Sequence, residues 1–114
     1  KAAPQIVFSS EEISMLFTLF QSRILFFKNT NIISQAVATT DIVSHPEQYF
    51  SKTQTTLIIS FARSGNSPES CAALQLADKF LKKCFHLIIT CSKNSSLANY
   101  QSQNPVHFFM LPEE

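Results

Sequence analysis

The chain has 114 residues, enough for one compact domain, and its 45% hydrophobic against 15% charged content argues against disorder. A net charge of +1 supplies no basic field for nucleic acid, and no apolar run approaches the roughly 20 residues that span a bilayer. One Gly and eleven Phe with no Trp are the oddities of the composition.

Taken in order, Gln5-Ile6-Val7-Phe8 reads as a buried strand. Ser9-Ser10-Glu11-Glu12 follows with a Ser-x-x-Glu capping pattern, Ser9 as N-cap and Glu12 at the third helical position. Ile13, Leu16, Phe17, Phe20, Ile24 and Phe27 then recur at helical spacing, and Met15, Leu19 and Phe26 widen the stripe. A helix apolar over most of its circumference is wedged between layers or buried at a subunit contact. Lys28-Asn29-Thr30-Asn31 ends it, with a cation at the negative terminus and Asn for a left-handed turn. A second strand is predicted over 32–38. Thr39-Thr40-Asp41 makes a turn, and the stretch to Tyr49-Phe50 is a loop with a short helical turn, broken before Pro46.

The third strand covers 55–61 and is rich in β-branched residues on both faces, as in a parallel sheet covered on both sides. After Ala62-Arg63-Ser64-Gly65-Asn66 comes a strongly signalled helix, with Ser67 as N-cap, Pro68 at the first position and Glu69 complementing the dipole. Its core stripe is Ala73, Leu74, Ala77, Phe80, Leu81 and Cys84. A fourth strand is predicted over 86–90, a short helix over 95–101 and a fifth strand over 106–111. Strand–helix alternation of this kind predicts an α/β fold, a parallel sheet with helices on both faces. Right-handed crossovers then put every strand-to-helix loop on one edge, where such sheets bind their ligands.

Cys71, Cys84 and Cys91 show neither C-x-x-C spacing nor an even count, and read as small core residues of a reducing, cytoplasmic protein. His45, His86 and His107 match no metal spacing, so no metal is expected. The start Lys1-Ala2-Ala3-Pro4 lacks the layout of a signal peptide.

The most informative stretch runs from Ser60 to Glu69, between a buried strand and a well-capped helix. A helix start offers free backbone N–H groups and about half a positive charge, which suits a phosphate. Ser64, Asn66 and Ser67 add short donors, and Gly65 lets backbone approach the ligand without a Cβ. The chain's sole glycine is used here. An ordinary strand-to-helix turn with serine caps is the competing reading, and the residues alone do not choose between the two.

The run from Leu57 to Glu69, centred on Ser64-Gly65-x-Ser67-x-Glu69, resembles the phosphosugar loop of the sugar isomerase (SIS) domain family. The resemblance is closest to the branch of tagatose-6-phosphate ketose/aldose isomerase-like proteins, also assigned as galactosamine-6-phosphate deaminase/isomerases. Thr39-Thr40-Asp41-Ile42-Val43-Ser44, His86-Leu87-Ile88-Ile89-Thr90-Cys91 and Met110-Leu111-Pro112-Glu113-Glu114 are similar to that branch as well. What the resemblance implies is a three-layer αβα sandwich around a five-stranded parallel sheet of flavodoxin-like type, with residues 1–114 a single SIS domain. It further implies that Ser64 and Ser67 donate to phosphate oxygens, helped by the amides of Gly65 and Asn66, with Glu69 and Thr90 lining the sugar. No cofactor is implied.

Two departures stand out. Where the family carries a Gly-x-Gly-Thr-Ser loop after its first strand, this chain reads Ser10-Glu11-Glu12-Ile13-Ser14, so only Ser14 survives. Each carboxylate a few Å from a phosphate costs about 1–4 kcal/mol, depending on screening. Secondly, full-length relatives hold two such domains, of which this matches the first, and their acid/base groups, commonly a Glu and a His, come from later in the chain. A start directly at a strand further implies helices preceding this stretch. The expectation is a phosphosugar-binding domain without catalysis of its own. The alternative is a non-catalytic sugar-phosphate-sensing or assembly module, pairing as a dimer through Phe17, Phe20, Ile24 and Phe27 of the first helix. Neither nucleic acid nor membrane is an expected partner.

Overall fold

A computed structural model of the chain describes residues 4–10, 33–62 and 68–110. Within them, β1 (Gln5–Ser10), β2 (Ile33–Ala38), β3 (Thr56–Ala62), β4 (Cys84–Thr90) and β5 (Val106–Met110) form one sheet in the order β2-β1-β3-β4-β5. All four neighbouring pairs are parallel. The helices α1 (Thr39–Ser44) and α2 (Pro68–Phe80), with a 3-10 turn at Pro46–Gln48, connect the strands. This is the 2-1-3-4-5 order of the flavodoxin-like fold, as expected.

Strand alternation sorts the sheet into two faces. Val7, Val37, Ile58, Cys84 and Ile88 point to one face and pack with Ile42 of α1, with Ala73, Leu74 and Ala77 of α2, and with Phe50, Leu81 and Leu97. Ile6, Phe8 and Ile59 point to the other, joined by Leu57, Phe61, Leu87 and Ile89. Both described helices therefore lie on one face. The helix predicted from Ile13 to Phe27, with its Phe17, Phe20, Ile24 and Phe27 pairing surface, falls outside the described residues.

Several local expectations change. Ser9 is not an N-cap: β1 is flanked by β2 and β3 along its whole length, and this double ladder carries it through Ser9 and Ser10. The buried Ser9 hydroxyl instead shares a 3.0 Å hydrogen bond with that of Thr39. Thr39-Thr40-Asp41 is not a turn but the first half of α1, because Thr39 and Ile42, three residues apart, are both buried against the sheet. Leu81 and Cys84 fall beyond α2, which ends at Phe80, and Cys84 opens β4 two residues earlier than the sequence predicts.

Residues 95–101 form turns rather than a helix. Ser95 does cap the segment, its Oγ accepting from the Ala98 amide at 3.0 Å. The bonds that follow, however, run from Asn99 N to Ser96 O and from Tyr100 N to Leu97 O, the tighter three-residue spacing. Gln5, buried at the start of β1, fastens the sheet's amino edge. Its amide donates to Tyr49 O at 2.8 Å and to Thr56 Oγ1 at 3.0 Å, while its Oε1 accepts from Gln35.

Candidate functional site

In a doubly wound sheet the chain leaves β1 toward β2 on one side and returns to β3 on the other, opening a crevice at the carboxyl ends of β1 and β3. The described residues at this rim are unusually rich in buried hydroxyls: Ser9, Ser10, Thr39, Ser60, Ser70 and Thr90. Ser9 and Ser60 are direct neighbours in the β1–β3 register. Thr90 ends β4 beside Ala62, and its Oγ1 accepts from the Ser92 amide at 3.4 Å. Buried hydroxyls need hydrogen-bond partners, and the Ser9–Thr39 bond ties the end of β1 to the start of α1. The informative stretch of sequence opens at Ser60 but gives Ser9 and Ser70 no part in this rim; their burial, not their spacing, reveals them.

β3 ends at Ala62 on this rim, and the 13-residue α2 begins at Pro68. Of the predicted site residues, Glu69 is exposed in the first turn of α2 and Thr90 is buried at the end of β4. Ser64, Gly65, Asn66, Ser67 and Ser14 lie outside the described residues.

Among the described residues, a densely bonded polar cluster sits at the opposite, amino edge. Asp78, on the last turn and a half of α2, accepts at Oδ1 from His86 Nε2 at 2.8 Å and from Asn104 Nδ2 at 2.7 Å. Its Oδ2 accepts from the Tyr100 hydroxyl at 2.5 Å. The His86 and Tyr100 rings meet edge to face at 5.7 Å. Burial alone would raise the Asp78 pKa, but bonds from Tyr100, His86, Asn104 and Ser102 outweigh it and hold the carboxyl below the ordinary Asp value. Burial, and secondarily the Asp78 charge, pushes the Cys84 thiol up to about 12, so it is no nucleophile at neutral pH. Burial and the bond to Asp78 likewise raise the Tyr100 phenol, which keeps its proton to donate.

Asp78, Cys84 and His86 offer ligand atoms within 4.8 Å of one another, a spacing that a cation could bridge. The Asp78 oxygens and His86 Nε2 already serve each other, and the thiol resists ionisation. The cluster therefore reads as a lock that ties the end of α2 to β4 and to the segment before β5. His86 and Thr90 are four residues apart on β4, about 13 Å, so the lock stands well away from the rim. A hollow lined by Lys52, Thr53, Gln54, Thr55, Lys82 and Lys83 lies on the same amino edge, ahead of β3 and β4.

The chain matches no family model. It is 49% identical over 81 residues to D-galactosamine-6-phosphate deaminase AgaS of Shewanella sp. (strain ANA-3), covering 70% of this chain and 21% of that protein. A Clostridium novyi structure named as a tagatose-6-phosphate ketose/aldose isomerase superposes with a TM-score of 0.89 and 41% identity, covering 99% of this chain and 29% of the other. The Escherichia coli tagatose-6-phosphate ketose/aldose isomerase gives 0.83 and 33%, over 98% of this chain and 30% of its own. The chain belongs to the sugar isomerase (SIS) family. It spans about a fifth of the length of the curated relatives it matches. Among the described residues, no helix of this SIS chain is long and apolar enough to cross a membrane.

Proposed function

We propose that this chain is the phosphosugar-binding SIS domain, the first of two, of an amino-sugar-phosphate deaminase or ketose/aldose isomerase. The observation that supports the proposal is that β3 ends at Ala62 beside the strand-order reversal and the 13-residue α2 begins at Pro68, its amino end at the carboxyl rim. The names of the relatives supply the substrate class, a hexose or hexosamine 6-phosphate.

Ser64 and Ser67 donate their hydroxyls to phosphate oxygens, the amides of Gly65 and Asn66 add backbone donors, and Ser14 approaches from the β1 side. Glu69 and Thr90 flank the sugar. Proton transfer between C1 and C2 needs a base within hydrogen-bond reach of the sugar. The bonded His86–Asp78 pair lies on the wrong edge for it, so the domain binds and the reaction belongs to the longer protein. Free thiols at Cys71, Cys84 and Cys91 accord with a reducing, cytoplasmic setting.

Replacing Ser64 and Ser67 tests the assignment. A hydrogen bond to a charged group contributes about 1.5–3 kcal/mol. Ser64→Ala and Ser67→Ala are each expected to weaken galactosamine-6-phosphate binding by about tenfold or more in calorimetry, with an unchanged circular dichroism spectrum. Wild-type affinity in both variants would remove the loop from the site.

A further inference from the structure

The Asp78 cluster gathers ligand atoms as well as hydrogen bonds. Cys84 and His86, two residues apart on β4, share one face of the sheet, and Asp78 reaches them from the end of α2. Cys84 Sγ lies 3.7 Å from His86 Nε2, Asp78 Oδ1 lies 2.8 Å from the same nitrogen, and all three atoms fall within 4.8 Å of one another. In a thiol–histidine–carboxylate relay the two partners take opposite ring nitrogens, so this arrangement does not activate the sulfur as a nucleophile. A carboxylate, a thiol and an imidazole converging on one point are instead the donor set of a metal centre. The histidine spacing alone predicts no metal; the set comes together only when α2 folds onto β4.

Charge and hydrogen bonding both admit a cation here. Asp78 as carboxylate and Cys84 as thiolate bring two negative charges, which a divalent ion cancels. The loaded site is then neutral, as burial of Cys84 and His86 demands. Without the ion, burial and the Asp78 charge keep the thiol protonated. A doubly charged cation beside the sulfur outweighs both, and a coordinating thiol loses its proton outright. His86 must free Nε2, whose proton now goes to Asp78. Its Nδ1 is buried without a partner, so that proton moves there without breaking a bond. Oδ1 keeps its bond from Asn104 on one lone pair and turns the other to the ion, while the Tyr100 hydroxyl holds Oδ2 in place. Ligand atoms around a tetrahedral zinc stand about 3.4–3.6 Å apart, given metal–ligand distances of about 2.0–2.3 Å. The Cys84–His86 separation is already close to this, and Asp78 has to back off by roughly 0.6 Å.

We propose that Asp78 Oδ1, Cys84 Sγ and His86 Nε2 bind one divalent cation of the zinc or cobalt kind, which replaces the proton bridge of the lock and staples α2 to β4. Binding releases one proton, that of the Cys84 thiol; the His86 proton shifts from Nε2 to Nδ1 and stays. Thiolate and imidazole select this class over magnesium or calcium, which take oxygen ligands. The fourth position goes to water on the Asp78 side, whose side chain is 14% exposed. All three ligands belong to the described residues, so the site needs no residue from elsewhere. It stands on the amino edge and is independent of the phosphosugar reading at the opposite rim.

Titration of the whole chain, stripped of metal by a chelator, with Co2+ decides the matter. The expected result is a near-ultraviolet sulfur-to-cobalt absorption together with the intense visible bands of four-coordinate cobalt. Both saturate at one equivalent, vanish on adding excess Zn2+ and are untouched by Mg2+. Cys84→Ser should lose the sulfur-to-cobalt absorption and weaken Zn2+ binding by about tenfold or more. The Cys71→Ala, Cys91→Ala double variant, in which Cys84 is the sole thiol, should keep both. That variant also keeps the test decisive if Cys84→Ser does not fold. Absence of the sulfur-to-cobalt absorption from the wild type, its loss from the double variant, or its survival in folded Cys84→Ser each overturns the site.

Discussion

Asp78→Ala is expected to destabilise the fold by about 3 kcal/mol in denaturant unfolding, a large share of the roughly 5–15 kcal/mol available to a domain of this size. The loss comes less from the missing carboxylate than from what it leaves behind. His86 Nε2, the Tyr100 hydroxyl and the Asn104 amide all donate to it, and the His86 side chain is fully buried. Each donor stranded without an acceptor keeps its desolvation cost, and His86 is least able to recover a bond from water because its Nδ1 is also without a partner. Asp78→Asn retains one acceptor oxygen and should lose less.

The same contacts set a pH dependence. The Asp78 carboxyl titrates lower in the folded chain than in the unfolded one, where it is near 3.9. The folded state therefore binds fewer protons around that value. Its extra stability is fully present above about pH 4 and fades as pH falls through the lower, folded value. Unfolding curves from pH 7 down to 2 should show this acid-induced loss in the wild type and a smaller one in Asp78→Ala. Parallel curves would contradict the carboxylate's role.

Leu97→Ala is expected to cost about 3 kcal/mol, comparable to truncating a leucine inside a regular helix. Leu97 stands in a run of turns, yet it is 0% exposed and belongs to the main cluster with Ile58, Leu74 and Ile88. It is the apolar anchor that seats segment 93–100 over the sheet, while Tyr100 and Asn104 tie the same stretch to Asp78. Removing it leaves a cavity beside Ile58, Leu74 and Ile88. Lys93→Ala, exposed at the start of that segment, should stay within about 0.5 kcal/mol and serves as the control. Equal effects from the two substitutions would mean that the segment is not anchored as described.

The sheet was largely readable from the sequence. Ile6-Val7-Phe8, Ile58-Ile59, Ile88-Ile89-Thr90 and Phe108-Phe109 mark four of the five strands with β-branched and aromatic residues, and hydrophobicity on both faces is the signature of parallel pairing. Pro68 placed the start of α2. Misreadings arose where tertiary partners outvote local chemistry. Ser9 followed by two glutamates looks like a cap until strands on either side extend β1 through it. Thr39 and Thr40 look like a turn until the Ser9 hydroxyl gives Thr39 a buried partner. Ser95 caps as its type predicts, but the Asn99 side chain takes the Ser95 carbonyl at 2.9 Å, and a helix does not propagate.

The Asp78 lock was hidden because its members come from a helix, a strand and a loop, with the partners of Asp78 lying 8, 22 and 26 positions along the chain from it. The only trace in the sequence is an aspartate set between Ala77 and Leu81 on a core stripe. At the rim, the proposed phosphate loop rests on residue chemistry and family likeness together, whereas the layer of buried hydroxyls emerges only from burial.

The rim assignment also makes a choice that simple charge would reverse. Lys52, Lys82 and Lys83 line the hollow at the amino edge, so bulk Coulomb attraction alone would send a phosphate there. The proposed function puts it instead at the carboxyl ends of β1 and β3. Titrating the isotopically labelled chain with galactosamine-6-phosphate and mapping amide shifts separates the two. The account predicts saturable shifts concentrated in residues 60–70 and around Thr90, with Lys52–Thr55 and Lys82–Lys83 unmoved. Shifts gathered instead on the lysine-lined edge, or none anywhere, would contradict it.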